Sequence, residues 1–114
     1  MLTLDSLKEY GANTEEGMGR CLNNEGFYFR LIKMAVDDAN ITNLKTAVEA
    51  GDLDAAFDAA HALKGITANL ALTPIEKPVS DMTELLRNRA QTDYSGFLEE
   101  ILAQTEKLRE LCAE

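Results

Sequence analysis

Hydrophobic positions recur every three to four residues along most of the chain, and no stretch alternates Val, Ile and Thr for long enough to make a strand. The predicted fold class is therefore all-α. Residues 4–10 read as a short helix ended by Gly11, and Asn13 with Glu16 reads as a capping box opening a second short helix through about Leu22. From Asn24, the positions Phe27, Leu31, Met34 and Ala35 mark the apolar face of a longer helix. Ile41, Leu44 and Val48 carry the pattern on to Gly51, with Asn40 as a kink or cap between the two segments. Gly51 closes that stretch and Asp52 caps the next, a helix over about residues 53–72 with an apolar stripe at Leu53, Ala56, Phe57, Ala60, Leu63, Thr67 and Leu70. Thr73-Pro74-Ile75-Glu76 predicts a helix start with Thr73 as N-cap. Pro78 then either distorts the first turn or delays the regular helix to Ser80-Asp81, with an end near Asn88. A last helix starts near Thr92 or Asp93 and buries Tyr94, Phe97, Leu98, Ile101, Leu102, Thr105, Leu108 and Leu111. Four long segments joined by short turns predict an antiparallel up-and-down four-helix bundle over residues 25–112. The short helices of residues 1–24 cap one end, and 1–114 is a single domain.

The pattern changes character around His61, the only histidine. At 100° per residue it lies roughly 120° from the centre of the apolar stripe, on the flank of its helix. Its neighbours one and two turns away are Asp58, Lys64, Gly65 and Ala68, and only Phe57, four residues before, is large and apolar. A buried structural imidazole would be walled in by bulky side chains; this one is surrounded by small ones. Glycine inside a helix costs about 0.8–1.0 kcal/mol relative to alanine, so close approach by another protein is the simplest reason to find it there. Lys64 lies one turn away on the side nearer the core, its stem along apolar surface and its ammonium beside the imidazole.

The run His61-Ala62-Leu63-Lys64-Gly65 followed by Asn69-Leu70 resembles the histidine-containing phosphotransfer (HPt) domain of phosphorelays, whose pattern reads H-x-L-K-G and then N-L-G. The layout of the flanking helices is similar over about residues 25–112. The resemblance implies that His61 is a phosphoacceptor taking a phosphoryl group from a receiver-domain aspartyl phosphate and passing it to another receiver. Lys64 would steady the phosphoryl charge, and Ala62, Gly65, Ala68, Thr83 and Arg87 would border the partner-binding face. Thr83 falls where the family often has a glutamate or glutamine that bonds the other imidazole nitrogen, and Ala71 stands where it usually has a second glycine. The implied partners are response-regulator receiver domains and a hybrid sensor histidine kinase. The protein would be a covalent carrier, not an enzyme, with no cofactor of its own, because the receiver brings the Mg²⁺.

Composition narrows this further. A net charge of −9, from 20 acidic and 11 basic side chains, disfavours nucleic acid and anionic membrane as partners. No apolar run approaches the ~20 residues of a membrane span, and the first residues lack the pattern of a signal peptide, so the expected compartment is the cytoplasm. Met1 and a last helix running to the C-terminus lead to the expectation of a separate polypeptide, and the absence of a heptad extension to that of a monomer. Cys21 and Cys112 read as ordinary small hydrophobes. Asp58, Asp37-Asp38 and the cluster Glu99, Glu100, Glu106, Glu110 and Glu114 read as solvated surface. A different class of function, an adaptor bundle that binds receivers without carrying phosphate, would be told apart by whether the chain takes label. A true enzyme fits poorly, since the sequence holds one histidine and no ATP-binding glycine-rich motif.

Overall fold

Most of the helices begin where a side chain offers the free backbone N–H groups an acceptor. The computed structural model describes residues 2–113, so Met1 and Glu114, the ends of the predicted domain, lie outside the described residues. Among those residues there are seven helices and no strand: α1 (Leu4–Tyr10), α2 (Thr14–Arg20), α3 (Glu25–Ala35), α4 (Ala39–Ala50), α5 (Leu53–Asn69), α6 (Thr73–Arg87) and α7 (Ser95–Ala113). Thr3, Asn13, Asn24 and Asp52 accept from the backbone N–H of Ser6, Glu16, Phe27 and Ala55 respectively, and Gly11 and Gly51 end α1 and α4 with left-handed backbone.

Consecutive helices pack on one another from α4 to α7, and α7 returns to α4, giving a helical bundle with extents of 41 × 24 × 20 Å. Its centre is built from Leu44, Ala56, Ala60, Val79, Met82, Leu86, Ile101 and Leu108, none of them exposed. Thr67, Thr83 and Thr105 are also buried, and each hydroxyl donates to the carbonyl four residues earlier: Leu63, Val79 and Ile101. A buried hydroxyl satisfied within its own helix serves as a small core residue.

α1 and α2 close the end of the bundle where α5 finishes. A helix C-terminus leaves carbonyls without intrahelical partners and carries partial negative charge. Arg20 donates to the Ala68 carbonyl (2.8 Å), the Asn13 backbone N–H to that of Ala71 (3.0 Å), and the Tyr28 hydroxyl to that of Leu70 (2.9 Å). Tyr28 is fully buried, and burial with the nearby Cys21 thiol pushes its phenol up to about 12. At the other side Arg109 of α7 reaches back to the Val36 carbonyl and to Asp37, which fixes the break between α3 and α4.

Several boundaries differ from those the pattern predicts. Asp38, not Asn40, caps α4, accepting from the Asn40 backbone N–H at 2.8 Å. α2 stops at Arg20, because Leu22 and Asn23 take left-handed backbone to turn the chain, leaving Leu22 exposed. The buried face of α3 is Tyr28, Ile32 and then Val36 beyond its end; Phe27, Leu31 and Ala35 are half-buried and Met34 is 63% exposed. α5 ends at Asn69, and Leu72 rather than Thr73 occupies the N-cap of α6, without a side-chain cap bond. α6 starts at Thr73 and passes through Pro78 instead of starting at Ser80, at the loss of one intrahelical N–H bond. α7 begins at Ser95, where Asp93 accepts from the Ser95 backbone N–H, and Phe97, Leu102 and Leu111 are only half-buried.

Candidate functional site

His61 is exposed in the middle of α5, with its ring stacked on that of Phe57 one turn earlier: the centroids are 5.6 Å apart and the planes differ by 17°. Residues four apart share a helical face, and the Asp52 cap and Gly51 turn set where that face begins. Phe57 belongs to the predicted apolar stripe, but its ring is half-buried and extends from the core toward the imidazole. Two guanidinium groups also gather on it, Arg87 at 5.3 Å and Arg89 at 4.9 Å from the ring centroid. Both distances lie within cation–π range.

Lys64, one turn beyond His61, meets Glu84 of α6 at 3.5 Å, and Glu84 meets Arg87 at the same distance. These side chains are a third to a half or more exposed, so the pairs add little to stability. Their effect is on where the charges sit: one carboxylate holds two cations along the flank of the helix that bears His61. Gly65 is exposed, and a Cβ built on it would meet nothing within 4 Å. Ala62 and Ala68 are half-buried beside it. Asp58 is exposed, facing α4 with Asn43 and Ala55 in the lining of one groove.

Thr83 is a correction. Its side chain is fully buried and its hydroxyl donates to the Val79 carbonyl at 2.7 Å, so it neither borders a docking face nor bonds the imidazole. Arg89 is the residue the sequence pattern misses. It follows the end of α6 with a φ of 50°, a left-handed conformation that its residue type does not announce. Phe57 had a readable signal, its spacing of four from His61.

Among the described residues no group of three or more His, Cys, Asp or Glu side chains is gathered as a metal site would require, and no helix is long and apolar enough to cross a membrane. A family model, the Hpt domain, matches residues 35–111, which takes in α4 to α6 and most of α7. The chain belongs to the Hpt domain family. Comparison with curated proteins and with solved structures returned no match. Hpt domains are helical phosphocarrier modules of His-Asp phosphorelays, and receiver domains are the partners of the family.

The backbone at Ala71 bears on the departure that the sequence shows there. Ala71 has a φ of 55° in the turn between α5 and α6, where glycine would be unstrained. Left-handed backbone costs an L-residue about 1–2 kcal/mol. Its buried methyl contributes about 0.8 kcal/mol, and the smaller conformational freedom of alanine in the unfolded chain another 0.4–1 kcal/mol. These gains offset part of the strain, and the net cost of alanine at a turn that favours glycine is small beside the stability of a domain.

Proposed function

We propose that His61 is the phosphoryl acceptor of this Hpt domain, taking the group from a receiver aspartyl phosphate and giving it to a second receiver. The observation that carries the reading is an exposed lone imidazole on α5, with a lysine one turn on and an open glycine face beside it, inside the matched residues. A lone pair of the neutral imidazole attacks phosphorus, the N–P bond forms, and the P–O bond to the receiver's aspartate breaks to release its carboxylate. The ring keeps its other N–H or gives that proton to water, and the reverse step passes the phosphoryl group on. Such transfers need alignment and charge neutralisation above all, and the Mg²⁺ for them would come with the receiver.

The test is to incubate the chain with phosphorylated receivers and follow label onto protein. Acid-labile label on the chain supports the carrier reading. Receiver binding without label would instead make it an adaptor.

Lys64 fits the role of a point charge for the phosphoryl oxygens, and Glu84 competes with those oxygens for it. Lys64→Ala should slow transfer by about fivefold at low salt while changing stability by no more than about 0.5 kcal/mol. Glu84→Gln should move the rate or the lifetime of phosphohistidine the other way, because it releases Lys64. Transfer kinetics of both variants across a salt series check the pair, and equal rates in all three proteins would make Lys64 ordinary surface.

Gly65 fits a landing surface for the receiver backbone. With open space around its Cβ position, Gly65→Ala should stabilise the helix by about 0.8–1.0 kcal/mol. Gly65→Gln should stay folded yet lower receiver affinity and transfer by roughly tenfold or more, since the added side chain projects into the docking face. Thermal unfolding paired with transfer kinetics reads both effects. Unchanged kinetics in folded Gly65→Gln would place docking elsewhere.

A further inference from the structure

An exposed imidazole has broad freedom about its second side-chain torsion, whereas attack on phosphorus needs one ring orientation. The ring of His61 is not left free: it lies nearly parallel to that of Phe57. Phe57 is itself restrained, packed against the core on one part and met by the guanidiniums of Arg87 and Arg89 on another. Arg89 is placed with unusual care. Its backbone N–H donates to the Leu86 carbonyl (2.9 Å) to close the end of α6, which a glycine at φ 50° would do with less strain. What arginine adds is the guanidinium, which donates to the Leu86 carbonyl (2.6 Å) and to Asp54 on α5 (2.7 Å) and sits over Phe57.

We infer that Phe57 is a positioning residue for His61, its ring clamped by Arg89 so that the imidazole stacked on it is held in the orientation for transfer. The inference rests on His61 being the acceptor and adds to it a chain of contacts that runs from Asp54 through Arg89 and Phe57 to the imidazole.

The experiment is single-turnover transfer from a phosphorylated receiver at increasing receiver concentration, for the parent chain, Phe57→Leu and Arg89→Gly, with NMR of the His61 ring protons. Leucine keeps an apolar side chain and removes the ring without changing charge; glycine suits the left-handed backbone and removes the clamp. The expected result is a maximal rate lowered by about two- to tenfold in each variant, the range of one aromatic pair, with unchanged half-saturation. The upfield shift of the imidazole protons should be lost in Phe57→Leu and reduced in Arg89→Gly. If Phe57→Leu fails to fold, Arg89→Gly decides alone. An unchanged maximal rate in a folded variant, a change confined to half-saturation, or a loss in Arg89→Gly that Phe57→Leu does not share would overturn the inference. A parent chain that takes no label would overturn the acceptor reading and this role with it, while an upfield shift persisting there would leave the stack as packing only.

Discussion

His61→Gln should abolish phosphoryl acceptance and leave the bundle intact. The imidazole is exposed and rests on Phe57 instead of filling the core, so its replacement by a good helix former removes a stack and little else. Stability should change by no more than about 1 kcal/mol, the sum of a surface substitution and part of an aromatic contact. Glutamine offers no nitrogen lone pair able to attack phosphorus, so the loss of transfer should be complete. Label transfer with helical circular dichroism on the same preparation reads both parts. Label persisting on the variant would move the acceptor to another residue, and loss of helicity would show that His61 supports the fold.

Gly17→Ala should be the most damaging single methyl in the N-terminal helices. A Cβ at Gly17 would lie 2.6 Å from Cζ and 2.7 Å from Cε1 of Tyr28, and against its hydroxyl. Tyr28 cannot swing aside, because it is fully buried and its hydroxyl holds the Leu70 carbonyl at the end of α5. Overpacking costs about 1–3 kcal/mol and a strained or lost hydrogen bond about 1 kcal/mol more, against a gain of about 1 kcal/mol in helix propensity. The net expectation is a loss of about 2 kcal/mol in denaturant unfolding. Gly65→Ala, with open space at its Cβ, has the opposite sign, so the two glycines form an internal control. Equal effects at both positions would mean that α2 is not seated on Tyr28 as described.

The parts of the fold that follow from local chemistry were legible. Gly11, Gly51 and the caps Asn13 and Asp52 stand at helix ends because backbone geometry and free N–H groups select those residue types. Thr67 and Thr105 fall on apolar stripes and are buried, as their spacing implies. What was not legible depends on distant partners. The face that α3 buries is set by the bond from Tyr28 to Leu70, forty-two residues on, so Ile32 turns inward and Met34 outward. Thr73 loses the cap because Ala71, in left-handed backbone, turns the chain one residue earlier. At the site, the exposed placement of His61 was readable from its offset to the apolar stripe, whereas Thr83 was misplaced because a hydroxyl satisfied by its own helix can be fully buried. Arg89 was invisible: its reach to Phe57 depends on a backbone conformation that no pattern of apolar residues encodes.

The central claim is that a receiver's phosphoryl group moves to one nitrogen of one side chain. Its most direct measurement is to mix the purified chain with a phosphorylated receiver and Mg²⁺, quench in alkali, and map the modification by peptide mass spectrometry and phosphorus NMR. The account predicts a single phosphoryl group, stable in alkali and labile in acid, on the peptide containing His61, with the receiver's aspartyl phosphate lost in step. An unmodified His61 after the receivers that bind the chain have been tried, or a phosphoryl group on any other residue, would contradict it.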